Sequence, residues 1–113
     1  MVARAEIGAT DQALIVLNKG LKECSDIYQV ALIRDRLAAI HRMKADFGKA
    51  ERLYKENLLV FDDFNDQIRI AETLFALAWI NKRRGNYPQA ENIYRKSLKI
   101  CREEFKHCQT VKR

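Results

Sequence analysis

The side chains best equipped for chemistry in this chain of 113 residues are two histidines, three cysteines and a short run of aspartates. His41 carries a ring suited to general acid–base work, but no Ser, Cys or carboxylate stands within one turn of it in a catalytic arrangement. A hydrogen-bonded role between helices fits it better. Cys101 and Cys108, with His107 beside them, fall on one helical face, yet a structural zinc needs four ligands. Cys24 lies at the opposite end of the chain and His41 offers no completion, so the thiols read as buried or surface groups and no metal is expected. Asp62, Asp63 and Asp66 supply carboxylates without the glycine and terminal bidentate Glu of a calcium loop; they read as caps and solvated groups. Gly85 lacks the further glycines of a phosphate-cradling loop. With no set of nucleophile, base and orienter, the sequence predicts a protein that is not an enzyme and uses no cofactor.

Composition sets the frame around those residues. One Pro and four Gly, in a chain rich in Ala, Leu, Lys, Arg and Glu, favour helix throughout and predict an all-α domain. The net charge of +6 arises from basic and acidic residues interleaved along helices such as 44–55, the pattern of a solvated face. An odd cysteine count with no framework spacing suits a reducing interior. The first residues contain no apolar core of a signal peptide, and no apolar run is long enough to span a bilayer. A soluble cytoplasmic protein is expected.

The elements that position these side chains follow from apolar spacing. The stretch 71–102 reads as two amphipathic helices hinged at Gly85-Asn86. Leu74, Leu77, Ala78 and Asn81 mark one face; Tyr87, Ala90, Tyr94, Ser97, Leu98 and Cys101 mark the other. Small Ala78 and Ala90 let the two backbones approach as an antiparallel hairpin. Upstream, Thr10-Asp11 starts a helix carrying Leu14, Leu17 and Leu21, and Ser25-Asp26 caps a second that runs to about Lys44. After a turn at 45–48, a third helix carries Ala50, Leu53, Tyr54, Asn57 and Leu58 to about Phe61. The segment 62–66 is the most loop-like, with Asp66 able to cap the helix that follows. Laid over one another, Ala13, Ala50 and Ala90 align, as do Leu17, Tyr54 and Tyr94, and Leu21, Leu58 and Leu98, at offsets of 37 and then 40 residues. Leu37-Ala38 aligns with Leu77-Ala78, and Phe47 with Tyr87. Helix-turn-helix units at such a period mark a solenoid.

These residues resemble the tetratricopeptide repeat. Leu74, Leu77, Ala78, Gly85, Tyr87, Ala90, Tyr94, Ser97 and Leu98 carry the match; Arg34, Leu37, Ala38, Phe47, Ala50, Tyr54, Asn57 and Leu58 carry a looser one. The resemblance covers Thr10 to Arg102. The units are longer than the usual repeat, similar to the variant in kinesin light chains and bacterial multidomain regulators, with Asp62 and Arg102 where a proline would end a repeat. Asn81 and His41 stand where a large aromatic is common. The resemblance implies antiparallel helical hairpins stacked as a short right-handed solenoid of about five helices. Its divisions would be a lead-in at 1–9, a half repeat at 10–24, repeats at 27–62 and 66–107, and a tail at 108–113.

In such repeats the first helix of each hairpin lines a groove. The resemblance therefore points to Asp35, Arg42, Met43, Phe75, Trp79, Lys82 and Arg83 as the surface for a protein or peptide partner, and to the chain itself as part of a larger regulatory or signalling protein. Phe75 and Trp79 form an aromatic step flanked by positive charge, suited to an apolar anchor beside a carboxylate. Against this, long aromatic side chains more often fill space between hairpins. The end helices lack outer neighbours, which predicts open apolar surface at Leu14, Ile15 and Leu17 and at Ile100, Cys101 and Phe105. Self-association there, or membership of a longer array, would cover it. The alternative function is RNA binding, suggested by the basic balance, although no matching base-reading residue recurs in each unit.

Overall fold

Local signals in the chain set where each helix starts. Asp26 Oδ1 accepts hydrogen bonds from the backbone N–H of Tyr28 at 2.9 Å and of Gln29 at 3.1 Å, and Asp66 Oδ1 accepts from Arg69 N at 3.3 Å. Each carboxylate satisfies donors that the first helical turn leaves without partners. In the computed structural model, which describes the backbone of residues 2–112 and the side chains of residues 10–106, all regular structure is helical. The order is α1 (Val2–Glu23), α2 (Ile27–Met43), α3 (Phe47–Asp63), α4 (Gln67–Arg83) and α5 (Tyr87–Lys112). The all-α, helical-hairpin class read from the sequence is the class observed.

The helix ends repeat with a fixed geometry. Ala45, Asn65 and Gly85 stand in the left-handed region with φ of 63°, 54° and 85°. The residue after each closes a wide loop: Asp46 N donates to His41 O at 2.8 Å, Asp66 N to Phe61 O at 2.9 Å and Asn86 N to Asn81 O at 2.8 Å. The left-handed residue itself donates one turn back, to Arg42 O, Asp62 O and Lys82 O at 3.0, 3.0 and 3.1 Å. This is the Schellman arrangement, which pairs the last carbonyls of a helix while the chain turns away. Because α2, α3 and α4 are each 17 residues long, the three turns recur every 20 residues.

Four sequence readings are corrected by this geometry. The segment 62–66 is not a loop: α3 continues through Asp63, and the reversal at 64–66 matches the other two hydrogen bond for hydrogen bond. Polar Asp and Asn residues suggested an open connection, whereas Asn65 takes the left-handed conformation that Asn tolerates well. Helix α1 begins at Val2 and not at Thr10, since the Ala, Arg and Glu residues ahead of Thr10 are strong helix formers and the lone Gly8 costs only about 1 kcal/mol. Helix α5 extends to Lys112 where an end near His107 was expected. Finally, the ends of α1 and α3 and the starts of α2 and α4 are 40 residues apart, so the offset of 37 between Ala13 and Ala50 is one turn out of step. A three-residue slip rotates a helix by only about 60°, and a similar face comes round.

Two compact units divide the chain, 1–53 and 54–113. In the first, α1 packs on α2, Ala31, Leu37, Ala38 and Ala50 are buried, and Lys44 Nζ lies 3.4 Å from Asp11 Oδ1. In the second, α4 packs on α5 and buries Ala71, Thr73, Ala76, Leu77, Ala78, Ile80 and Asn81. Ala90 of α5 and Tyr54, Asn57 and Phe61 of α3 are buried in the same unit. Three of its buried polar side chains, Thr73, Asn81 and Ser97, bond to helix carbonyls. Thr73 Oγ1 donates to Arg69 O at 2.8 Å and Asn81 Nδ2 to Leu77 O at 2.9 Å, each one turn back. Ser97 Oγ crosses between helices to Ala71 O at 2.8 Å.

Two stability predictions follow from these contacts. Ala45→Gly removes the left-handed penalty on a residue with a Cβ, less the extra freedom Gly adds to the unfolded chain, and should stabilise by roughly 0.5–1 kcal/mol; Gly85→Ala should destabilise by about 1 kcal/mol. Opposite shifts of the urea midpoint at constant slope are the expected result, and shifts of the same sign would contradict the turn geometry. Ser97→Ala should cost about 1 kcal/mol by removing the tie from α5 to α4, seen in the same unfolding curves.

Candidate partner-binding surface

The burial of α4 defines the surface. With Ala76, Leu77, Ala78, Ile80 and Asn81 all buried, the helix leaves one strip open, formed by Ile68, Glu72, Phe75, Trp79, Lys82 and Arg83. These positions recur at three- and four-residue steps, the spacing of one helical face. Phe75 keeps 51% of its surface exposed and meets Tyr94 of α5 edge-on, with ring centroids 5.2 Å apart at 77°. Trp79 is half-buried, and the guanidinium carbon of Arg83 lies 5.3 Å from its ring centroid. An arginine over an indole face is a cation–π contact that holds a flat charged group beside an apolar ring. Lys82, one residue earlier, is exposed.

Three of the residues expected on the groove belong to α2 in the other unit. Asp35 and Arg42 are half-buried, and Met43 is 76% exposed at the last helical position. Sequence reading placed Tyr94 in the repeat packing and overlooked Ile68 and Glu72. The signal for these two was present, because stepping back from Phe75 by three and then four residues reaches them. Among the residues expected to pack, Leu37, Ala38, Ala50, Tyr54, Leu77, Ala78 and Ala90 are buried and Leu58 is half-buried. Tyr87, at 63%, and Leu98, at 50%, stay exposed. Gly85 serves conformation and not close packing, since no atom lies within 4 Å of where its Cβ would stand.

At the outer helices, Ile15, Cys101 and Phe105 are exposed and Leu14, Leu17 and Ile100 half-buried. Exposed Val16 joins the first group and was not foreseen. Leu98, Cys101, Arg102, Phe105 and Lys106 line a shallow groove of about 410 Å³ on α5.

The residues first considered for chemistry are dispersed. His41 Nδ1 stands 3.6 Å from Asp46 Oδ2, a carboxylate that the turn brings to it, and Lys49 Nζ lies 3.7 Å from the same oxygen. Among the described residues no three His, Cys, Asp or Glu side chains gather as a metal site would require. The side chains of His107 and Cys108 lie outside the described residues. No described helix is long and apolar enough to cross a membrane.

Comparison with known proteins agrees with the hairpin geometry in one respect and is silent in another. None of the curated proteins compared with the chain matches it. The family model for the tetratricopeptide repeat matches residues 29–103, a span that holds all three of the 20-residue turns, and on that match the chain belongs to the tetratricopeptide-repeat family.

Proposed function

We propose that the chain is a non-catalytic module that binds a peptide or partner domain through the open strip of α4. Tetratricopeptide repeats generally mediate protein–protein interactions, which supports the class of function; the strip supplies the chemistry. The observation that carries the reading is Arg83 stacked on Trp79, with half-exposed Phe75 one turn before. Such a surface accepts an apolar side chain against the rings and a carboxylate at the guanidinium, so the fitting ligand has a hydrophobic anchor beside Asp, Glu or a free C-terminus. Phe75 against Tyr94 and Arg83 over the indole already stand in these contacts without a ligand, an arrangement that lowers the cost of binding. Regulation of a larger protein by this contact is part of the proposal, since it requires only a surface.

The test selects peptides from a random library on the full chain and measures their affinity by anisotropy. Selected sequences should share an apolar residue next to an acidic one. Trp79→Ala and Arg83→Glu should each weaken binding by at least about tenfold, roughly 1.4 kcal/mol, with unchanged far-ultraviolet circular dichroism. Full affinity in both variants would remove α4 from the site. The charge of +6 motivates one control, a titration with single-stranded RNA across salt. A steep fall in affinity with salt would favour phosphate contact over peptide recognition.

A further inference from the structure

Helix α5 carries two parallel rows offset by one residue. Tyr94, Leu98, Cys101 and Phe105 form an apolar row, and Arg95, Lys99, Arg102 and Lys106 form a basic one, both at steps of four, three and four. A helix turns by about 100° per residue, so the basic row runs alongside the apolar row on its outer side, away from the buried Ala90 and Ser97. Leu98 and Phe105 are 50% and 63% exposed, and the shallow groove on this helix is lined by members of both rows. Arg95 pairs with Glu91 at 2.6 Å, and exposed Glu103 borders the row one turn from Lys99 and Lys106.

The repeat shows how the equivalent positions of α3 are used. Matching turns at Asn86 and Asp46 put α5 and α3 in register at 40 residues, so Tyr94 corresponds to Tyr54, Leu98 to Leu58 and Cys101 to Phe61. Tyr54 and Phe61 are 2% and 0% exposed. The same sites are half-buried or exposed on α5. An apolar row that is protein-covered in one hairpin is therefore bare in the next, and it is bordered by positive charge.

We infer that this face of α5, from Leu98 to Phe105, is a second docking surface, adjoining the α4 strip where Tyr94 meets Phe75, and that its occupant is an acidic amphipathic helix of a partner protein. Helix-in-groove recognition reads apolar anchors at three- and four-residue steps, which matches the apolar row. The basic row selects carboxylates along the flank of that helix and steers its approach. The outer helix α1 of a second copy is not such a helix: over 10–23 it carries Lys19 and Lys22 against Asp11 and Glu23.

The experiment uses the full chain and two synthetic helices of about 18 residues with one shared Leu stripe, one flanked by Glu and the other by Lys. Anisotropy should show the Glu-flanked helix bound at least about tenfold more tightly. Leu98→Asp, a change at a half-exposed site, should abolish binding with circular dichroism unchanged. Lys99→Glu with Arg102→Glu should reverse the preference between the two helices. Trp79→Ala should leave this binding within about twofold, which separates this surface from the α4 strip whichever of the two fails. Equal binding of both helices, binding of neither, or binding indifferent to Leu98→Asp would overturn the inference. So would a dimer by light scattering that Leu98→Asp dissociates, or tighter Leu98-dependent binding to phosphatidylserine vesicles than to the Glu-flanked helix.

Discussion

Between α2 and α5 the chain reverses three times, and each reversal is made by one residue held at positive φ after a helix of 17 residues. A helix that ends this way has its last carbonyls paired by the two following N–H groups, so the turn needs no side chains to close it. Fixed helix length with a fixed turn fixes the phase of every later residue. Ala50 and Ala90 are both buried and both donate to the residue that ends the preceding turn, at Asp46 O and Asn86 O. The left-handed residue is chemically different each time, Ala, Asn and Gly, while the hydrogen bonds around it are the same. Backbone pairing therefore governs the repeat, and side-chain identity adjusts how much strain each turn carries.

Once the turns are set, the hairpin can close only where side chains are small. Helix α4 meets this with Ala71, Ala76 and Ala78, and α5 with Ala90 and Ser97. Close approach also brings polar atoms out of water, and the unit answers with hydroxyl and amide donors aimed at helix carbonyls: Thr73, Asn81 and Ser97. Of these three, Ser97 joins two helices, so its bond helps to fix the register between α4 and α5. Burying so much of α4 has a functional consequence. A helix with most of its circumference covered has little surface left to vary, and the strip from Ile68 to Arg83 is what remains for recognition.

Legibility in the sequence followed physical locality. Periodic apolar residues gave the helices, and Asp26 and Asp66 could be read as caps because their effect is confined to the next three residues. The turn at 64–66 could not be read, since a cluster of aspartates beside Asn65 looks the same whether the chain opens into a loop or closes tightly. The alignment of Ala13 with Ala50 failed by one turn for a similar reason: apolar spacing reports the face of a helix well and position along its axis poorly. For the site, Phe75, Trp79 and Arg83 could be placed on one helical side from spacing alone. Tyr94, which holds Phe75 edge-on, comes from another helix and became visible only once α4 and α5 were paired. The pairing of His41 with Asp46 was missed for the same cause, because the turn carries the carboxylate back to the ring.

Equivalent positions of α3 and α5 are put to different uses. Interior sites such as Tyr54 and Phe61 are chosen for packing and are hidden. Cys101 stands at the site that Phe61 fills, and its replacement of a large ring by a small thiol leaves a shallow depression between Leu98 and Phe105 instead of a ridge. Placing Arg102 and Lys106 at the rim of that depression keeps the exposed apolar row beside strongly hydrated groups, which opposes indiscriminate apolar association. The same charges restrict which helix can lie there. An apolar face that simply needed covering would be served by any apolar neighbour, whereas a basic border makes the cover selective, because a basic flank would set like charges against the Arg and Lys groups as water is removed.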